Sequence, residues 1–176
     1  MSSTNSTNQK DTAQTKNMNT QAQHIELPAN ESIGIVEPVA YLNGAMPTGV
    51  TVSHQGRIFI NFPRWGDEVP FTVSELHDAN KEPAYPDEAI NQINADDPAD
   101  VLVSVQSVVV DPLDRLWILD TGSPMFQPTN YGGPKMVCVD LATDKVVKKI
   151  LFPQDVALPT SYLNDVRFDP CSYNLA

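Results

Sequence analysis

Two cysteines, three histidines and eleven lysines and arginines in 176 residues exclude several common kinds of protein chemistry. Cys138 and Cys171 form no CxxC pair, so neither a zinc ribbon nor a redox motif is supported. Cys138 alternates with Val137 and Val139 in an apolar run, the setting of a small core residue, whereas Cys171 lies in an irregular terminal segment. His24, His54 and His77 fall in a polar tail, a turn and an acidic loop. None is joined to a nucleophile elbow, and no HExxH is present. The net charge of −11 comes without clustered lysine and arginine, so no nucleic acid is expected as a partner. No apolar run approaches a membrane span, and no membrane association is expected. The absence of an apolar segment after Met1 predicts a cytoplasmic product if Met1 is the true start.

Acidic and polar residues are unevenly spread. Ser, Thr, Asn and Gln fill 16 of the first 24 positions, which predicts a disordered polar tail over residues 1–24, unable to bury enough surface to offset its ordering entropy. Residues 67–100 hold ten acids against Lys81 alone, a local charge of −9. No D-x-[DN]-x-[DN]-G loop lies among them, so a solvated acidic loop is the reading, with a short helix over Asp87–Ile93.

The strongest positive feature is a repeat. Val50-Thr51-Val52-Ser53-His54 with Arg57-Ile58-Phe59-Ile60 is matched 58 positions later by Val108-Val109-Val110-Asp111-Pro112 with Arg115-Leu116-Trp117-Ile118. Another 58 positions on, Val166-Arg167-Phe168-Asp169-Pro170 begins a third copy. Alternating apolar residues, a polar turn and a second apolar strand describe a hairpin in an all-β repeat. The pattern predicts strands at 31–42, 48–53, 57–62 and 71–76, then 105–110, 115–120, 136–141 and 146–151, and a final strand at 164–168. Four antiparallel strands per period make one propeller blade. The expected domain is an incomplete β-propeller over residues 25–176, with one blade at 48–103, a second at 104–163 and the start of a third at 164–176.

In such an array the first strand of each blade lines a central channel. Thr48, Gln106 and Asn164 each precede their repeat's valine by two residues, which places three polar side chains on one rim. A small molecule held by several blades must bind where they converge. Arg64 and Trp65 follow the second strand of the first repeat and supply a cation and a stacking ring, either for a ligand or to brace a blade edge. Leu119-Asp120-Thr121-Gly122-Ser123 matches the loop of an aspartic protease, but it occurs once, and Phe62 stands near its place in the sister repeat. It is read as a strand end.

Several joined motifs carry a family resemblance over residues 34–169. They are Pro47-Thr48-Gly49-Val50, Gly56-Arg57-Ile58-Phe59 leading into Asn61-Phe62-Pro63-Arg64-Trp65, Val105-Gln106-Ser107-Val108, Asp114-Arg115-Leu116-Trp117-Ile118-Leu119-Asp120-Thr121-Gly122, Pro134 to Leu141, and Leu163-Asn164-Asp165-Val166. With these the chain resembles the major royal jelly protein and Yellow family. The resemblance implies a six-bladed β-propeller, commonly secreted, whose channel mouth accepts small amines or phenolic ligands in some members. It also implies a link to dopachrome conversion in some insect relatives. In the related gluconolactonase-like propellers, carboxylate and Asn ligands hold a divalent cation. Asn164 resembles one such ligand, but Thr48 and Gly49 stand where a matching Glu is expected.

These readings place Thr48, Gln106, Asn164, Asp165, Arg64 and Trp65 in a ligand site, with Asn164 as a candidate cation ligand. Six blades of this period need about 350 residues, so the sequence reads as a truncated or frame-interrupted portion, with exposed blade edges inviting self-association. Three functional readings follow: a small-molecule binding propeller, a lactonase- or tautomerase-like enzyme, or a chain inactive for want of further blades.

Overall fold

The computed structural model describes residues 34–77, 82–94 and 96–169. The expected polar tail at 1–24 and the residues after Asp169 lie outside the described residues. The two sheets belong to one compact unit, Glu37–Ala176.

The turn chemistry of the repeat builds each blade. In the first sheet, β1 (Gly49–Val52), β2 (Ile58–Asn61) and β3 (Val73–Leu76) run antiparallel in the order β1-β2-β3. In the second, β4 (Val105–Val110), β5 (Arg115–Asp120), β6 (Lys135–Asp140) and β7 (Lys145–Leu151) follow the order β4-β5-β6-β7. Ser53 Oγ accepts from the N–H groups of Gln55 (3.2 Å) and Arg57 (3.1 Å). One repeat on, Asp111 Oδ1 accepts from Leu113 (2.9 Å) and Arg115 (3.1 Å). A side-chain oxygen that mimics a backbone acceptor fixes both hairpins. The left-handed residue that each turn demands is Gly56 (φ 84°) in one and Asp114 (φ 57°) in the other, both types that tolerate this region.

The two sheets are consecutive blades of a β-propeller and share one core. Phe59 and Val73 of the first pack with Val105, Val108, Leu116, Ile118, Val137 and Val139 of the second, all buried. Polar clasps hold the sheets in register. Arg57 forms a bidentate pair with Glu75 (2.7 and 2.8 Å), then crosses to Leu141 O (2.7 Å) and Asp144 (2.8 Å) at the β6–β7 turn. Tyr85 donates to the same Asp144 oxygen at 2.7 Å. Burial pushes the Tyr85 phenol above its usual pKa, and the hydrogen bond to Asp144 pushes it further in the same direction. Asp144 is held below the usual carboxylate range, because the bonds from Tyr85 and Arg57 outweigh its desolvation.

Among the described residues between β3 and β4 the acidic stretch makes one short helix, α1 (Glu88–Asn91), narrower than the anticipated 87–93. Asp87 caps it by accepting from Ile90 N–H at 2.9 Å. Asn91 joins the helix to the first sheet: its Oδ1 accepts from Thr72 and Val73, both at 3.0 Å, while Nδ2 donates to Tyr85 O and Asp87 O.

Two expected strands do not form. Residues 34–42 are in no ladder, although 31–33 fall outside the described residues. β-branched composition alone cannot make a strand whose backbone finds no partner. Residues 164–168 likewise join no ladder and are tied to β4 and β5 by side chains instead, through Ser107–Asp165 (2.8 Å) and the ring contact Trp117–Phe168 (5.3 Å).

Candidate ligand groove on the inner strands

The innermost strand of a blade has one unpaired edge, and its backbone groups need partners. Side chains one repeat away supply them. Thr51 Oγ1 accepts from Val110 N–H (3.0 Å), and Thr48 Oγ1 donates to Gln106 O (3.1 Å). Thr48 is itself held by Asn61, whose Nδ2 donates to Thr48 Oγ1 (2.8 Å) and Val105 O (2.9 Å). This approach requires glycine at 49, because a Cβ there would lie 2.4 Å from Asn61 Oδ1.

A groove of about 470 Å3 runs over these inner strands, and Thr48, Gln106, Asn164 and Asp165 all line it, together with Ser107 and Arg167. Its volume is within the roughly 300–1,000 Å3 of small-molecule sites. The anticipated coincidence of repeat positions 48, 106 and 164 is therefore a spatial one.

Asp165 supplies the negative charge. Burial alone would raise its carboxyl pKa, but Ser107 Oγ, Val166 N–H (2.8 Å) and Arg167 Nη1 (2.5 Å) hold it below the usual carboxylate range. The carboxylate is exposed, so water screens these interactions. Ser107, one position from the anticipated Gln106, is a groove residue that the sequence reading missed.

Trp65 and Arg64 diverge. Trp65 Nε1 donates to Tyr162 OH (2.6 Å), which donates to Gln106 Oε1 (3.0 Å), so Trp65 reaches the groove through two intermediates. Phe126 stacks on Trp65 (5.4 Å) and tilts against Tyr162 (5.1 Å). Arg64 points the other way. It is buried and donates to Val103 O (3.2 Å) and Asn91 O (2.9 Å), the geometry of a brace. Burial lowers the pKa of this guanidinium, an effect that the charge of Asp120 opposes.

Residues 103–173, which include the second sheet and the groove residues Gln106, Asn164 and Asp165, match the family model described as Major royal jelly protein. The chain is 36% identical over 121 residues to L-dopachrome tautomerase yellow-f of Drosophila melanogaster, an alignment covering 63% of this chain and 27% of that protein. It is 31% identical over 134 residues to protein yellow of Drosophila subobscura, covering 71% and 23%. It is also 34% identical over 110 residues to dopaminechrome tautomerase of Drosophila melanogaster, covering 58% and 23%. The chain belongs to the major royal jelly protein and Yellow family. It spans about a quarter of the length of these curated relatives.

In this Yellow-family chain the Asp-Thr-Gly sequence at 120–122 has no free carboxylate to offer. Asp120 is fully buried; it accepts from Val103 N (2.7 Å), Ser104 N (2.9 Å), Gly122 N (2.9 Å) and Lys135 Nζ (2.7 Å). With all its acceptor sites engaged it serves as a loop anchor, and the strand-end reading holds. Among the described residues no three His, Cys, Asp or Glu side chains are grouped to hold a metal ion. Asn164 and Asp165 stand together in the groove without the further carboxylates that a hard divalent cation takes.

Proposed function

We propose that the inner-strand groove binds a small planar ligand at the channel mouth of a six-bladed propeller to which these residues contribute two blades and the first segment of a third. The observation that carries this reading is the convergence of repeat-related Thr48, Gln106 and Asn164 with Asp165 in one groove of about 470 Å3. Polar groups contributed by successive repeats can fix the orientation of one ligand. Asp165, kept ionised below the usual carboxylate range, suits an anchor for a ligand amine.

The relatives named as L-dopachrome and dopaminechrome tautomerases favour a second reading, in which the bound molecule is an aminochrome that undergoes proton transfer. Proton abstraction is served best by a group titrating near the working pH. Asp165 departs from that in the wrong direction, so binding without turnover is the primary reading. A gluconolactonase-like hydrolase requires a metal site, for which Asn164, beside Asp165, is the candidate ligand that the family resemblance offers.

Calorimetric titration with dopamine tests the binding reading. Stoichiometric uptake, unaffected by chelator and weakened about 3- to 5-fold by Asp165→Asn, is expected for an exposed charge pair. No uptake by the wild-type chain, or full affinity in Asp165→Asn, would sink it. Dopachrome turnover that falls with chelator or with Asn164→Ala would favour the enzymatic readings.

A further inference from the structure

Trp65, Tyr162 and Gln106 form a directional hydrogen-bond chain, and its direction has a consequence for ligand choice. An indole N–H can only donate. Tyr162 oxygen therefore accepts from Trp65 at 2.6 Å, and the phenol proton is left to donate onward. Gln106 Oε1 lies 3.0 Å away and receives it. Thr121 also stands beside this phenol; its proton is committed to Ser104 O (3.0 Å) and its oxygen accepts from Ser123 N–H (3.1 Å), while the phenol proton is directed to Gln106. The opposite amide orientation would set two N–H donors, indole and amide, on the phenol oxygen and would lose the Tyr162-to-Gln106 Oε1 bond that the structure shows. The carbonyl end of Gln106 is thus turned to Tyr162 and away from any ligand.

We propose that Trp65 and Tyr162 are positioning residues that lock the Gln106 amide with its NH2 group toward the inner-strand groove, which makes this wall a hydrogen-bond donor selective for ligands bearing a carbonyl or other pure acceptor. Gln106 lines the groove, and its Nε2 makes no hydrogen bond among the described residues. The neighbouring Thr48 hydroxyl cannot replace it as donor, because its proton is spent on Gln106 O. The inference rests on the proposed binding role of the groove and adds to it the ligand chemistry that the groove selects.

Two measurements on the whole chain separate the inference from that role. In the first, 15N-glutamine labelling, with Gln106→Glu to assign the signal, reads the Gln106 side-chain amide without any ligand. Both NH2 protons should exchange readily with solvent. A protected proton on that amide would show the reverse orientation and overturn the proposal, whether or not Tyr162 variants fold. In the second, calorimetry compares isatin, an indole ring with two adjacent carbonyls, with indole itself. The wild-type chain should prefer isatin by roughly 5- to 10-fold, the worth of one hydrogen bond. Tyr162→Phe should erase that preference while leaving indole affinity within about two-fold, and Trp65→Phe should reduce it in part. Equal affinity for the two probes in the wild-type chain would overturn the proposal while leaving groove binding intact. Failure of both probes to bind would remove the groove reading, with the amide orientation still decided by the first measurement.

Discussion

Replacing Asp120 by Asn should be among the most damaging single changes in this chain. The wild-type carboxylate ties three parts of the structure together: the backbone N–H groups of Val103 and Ser104 before β4, that of Gly122 after β5, and Lys135 at the start of β6. Both members of the ion pair are buried, Lys135 with 1% and Asp120 with 0% of its side chain exposed. Asn offers one acceptor oxygen where four donors converge, and its NH2 must face at least one of them. The Lys135 ammonium would retain Pro98 O (3.0 Å) and Gly133 O (3.0 Å) but no counter-charge. Breaking a buried pair from one side costs about 3–5 kcal/mol, a large part of the roughly 5–15 kcal/mol that a domain has in total. Lys135→Met also breaks the pair and leaves the Asp120 carboxylate without a counter-charge, but the N–H groups of Val103, Ser104 and Gly122 still donate to that carboxylate, and the other groups it orphans are carbonyls, which tolerate this better. It should therefore cost less than Asp120→Asn by about 1 kcal/mol or more. Urea titrations of both variants, followed by tryptophan fluorescence and far-UV circular dichroism, measure the difference. A cost below about 1 kcal/mol for Asp120→Asn, or equal costs for the two variants, would refute the anchor role. Acid-dependent proteolysis abolished by Asp120→Asn would revive the protease reading of this motif.

Gly49→Ala should destabilise by about 1–3 kcal/mol through overpacking, because its Cβ meets Asn61 Oδ1 at 2.4 Å; an unchanged urea midpoint would contradict the close approach. Asp111 is buried, and Arg115 and Trp117 hold it below the usual carboxylate range against the opposing effect of burial. Its contribution to stability should be fully present above the unfolded-state pKa of about 3.9 and be lost as pH falls through the folded value. Asp111→Asn should accordingly flatten the acid limb of the stability profile, and a profile unchanged by the substitution would count against the linkage. Arg57→Met should cost about 1–2 kcal/mol and speed proteolysis at the 141–145 turn, which loses its contacts to Arg57; limited proteolysis with mass spectrometry reads this directly. The 176-residue chain should self-associate through the apolar face that carries Val50 (67% exposed) and Val52 (56% exposed). Sedimentation should show a lower association constant in the double variant Val50→Lys, Val52→Lys, whereas a concentration-independent wild-type monomer would overturn the expectation.

How legible each part was follows from the range of the interactions that make it. The hairpins at 53–57 and 111–115 were legible because Ser53 and Asp111 bond to backbone two and four residues away, entirely within the local sequence. All seven strands fell within a residue or two of their anticipated places, since alternation and turn chemistry agree there. The segment at 34–42 has strand-like composition, yet a strand also needs a free edge in register, which composition does not report. The repeat offset identified Thr48, Gln106 and Asn164 as neighbours because it encodes the blade-to-blade step itself. Tyr162 and Asn61 escaped notice for the opposite reason. Tyr162 meets Trp65 across 97 residues and Gln106 across 56, and Asn61 meets Val105 across 44, spacings that no periodicity marks. Arg64 and Trp65, adjacent in sequence at the end of β2, were grouped as one site, but their side chains turn in opposite directions, one into the core and the other toward the groove wall.

Equivalent repeat positions do not have equivalent surroundings, and that difference shows what stabilises a blade. Val108 is 3% exposed, packed in the core between the two sheets, while Val50, its counterpart 58 residues earlier, is 67% exposed. The residues are the same and their strands have the same pairing, so the contrast comes wholly from whether another sheet covers that face. Burying a valine side chain contributes about 1.5 kcal/mol or more, and Leu116 and Ile118 gain in the same way from the shared core. Stability in such an array is a property of neighbouring pairs more than of single repeats. The groove obeys the same logic, since Thr48, Gln106 and Asn164 come from three different repeats and no one blade forms its wall alone. Whatever strengthens the contact between adjacent blades, Arg57 with Asp144 and Thr48 with Gln106 among them, therefore also sets the shape of the groove.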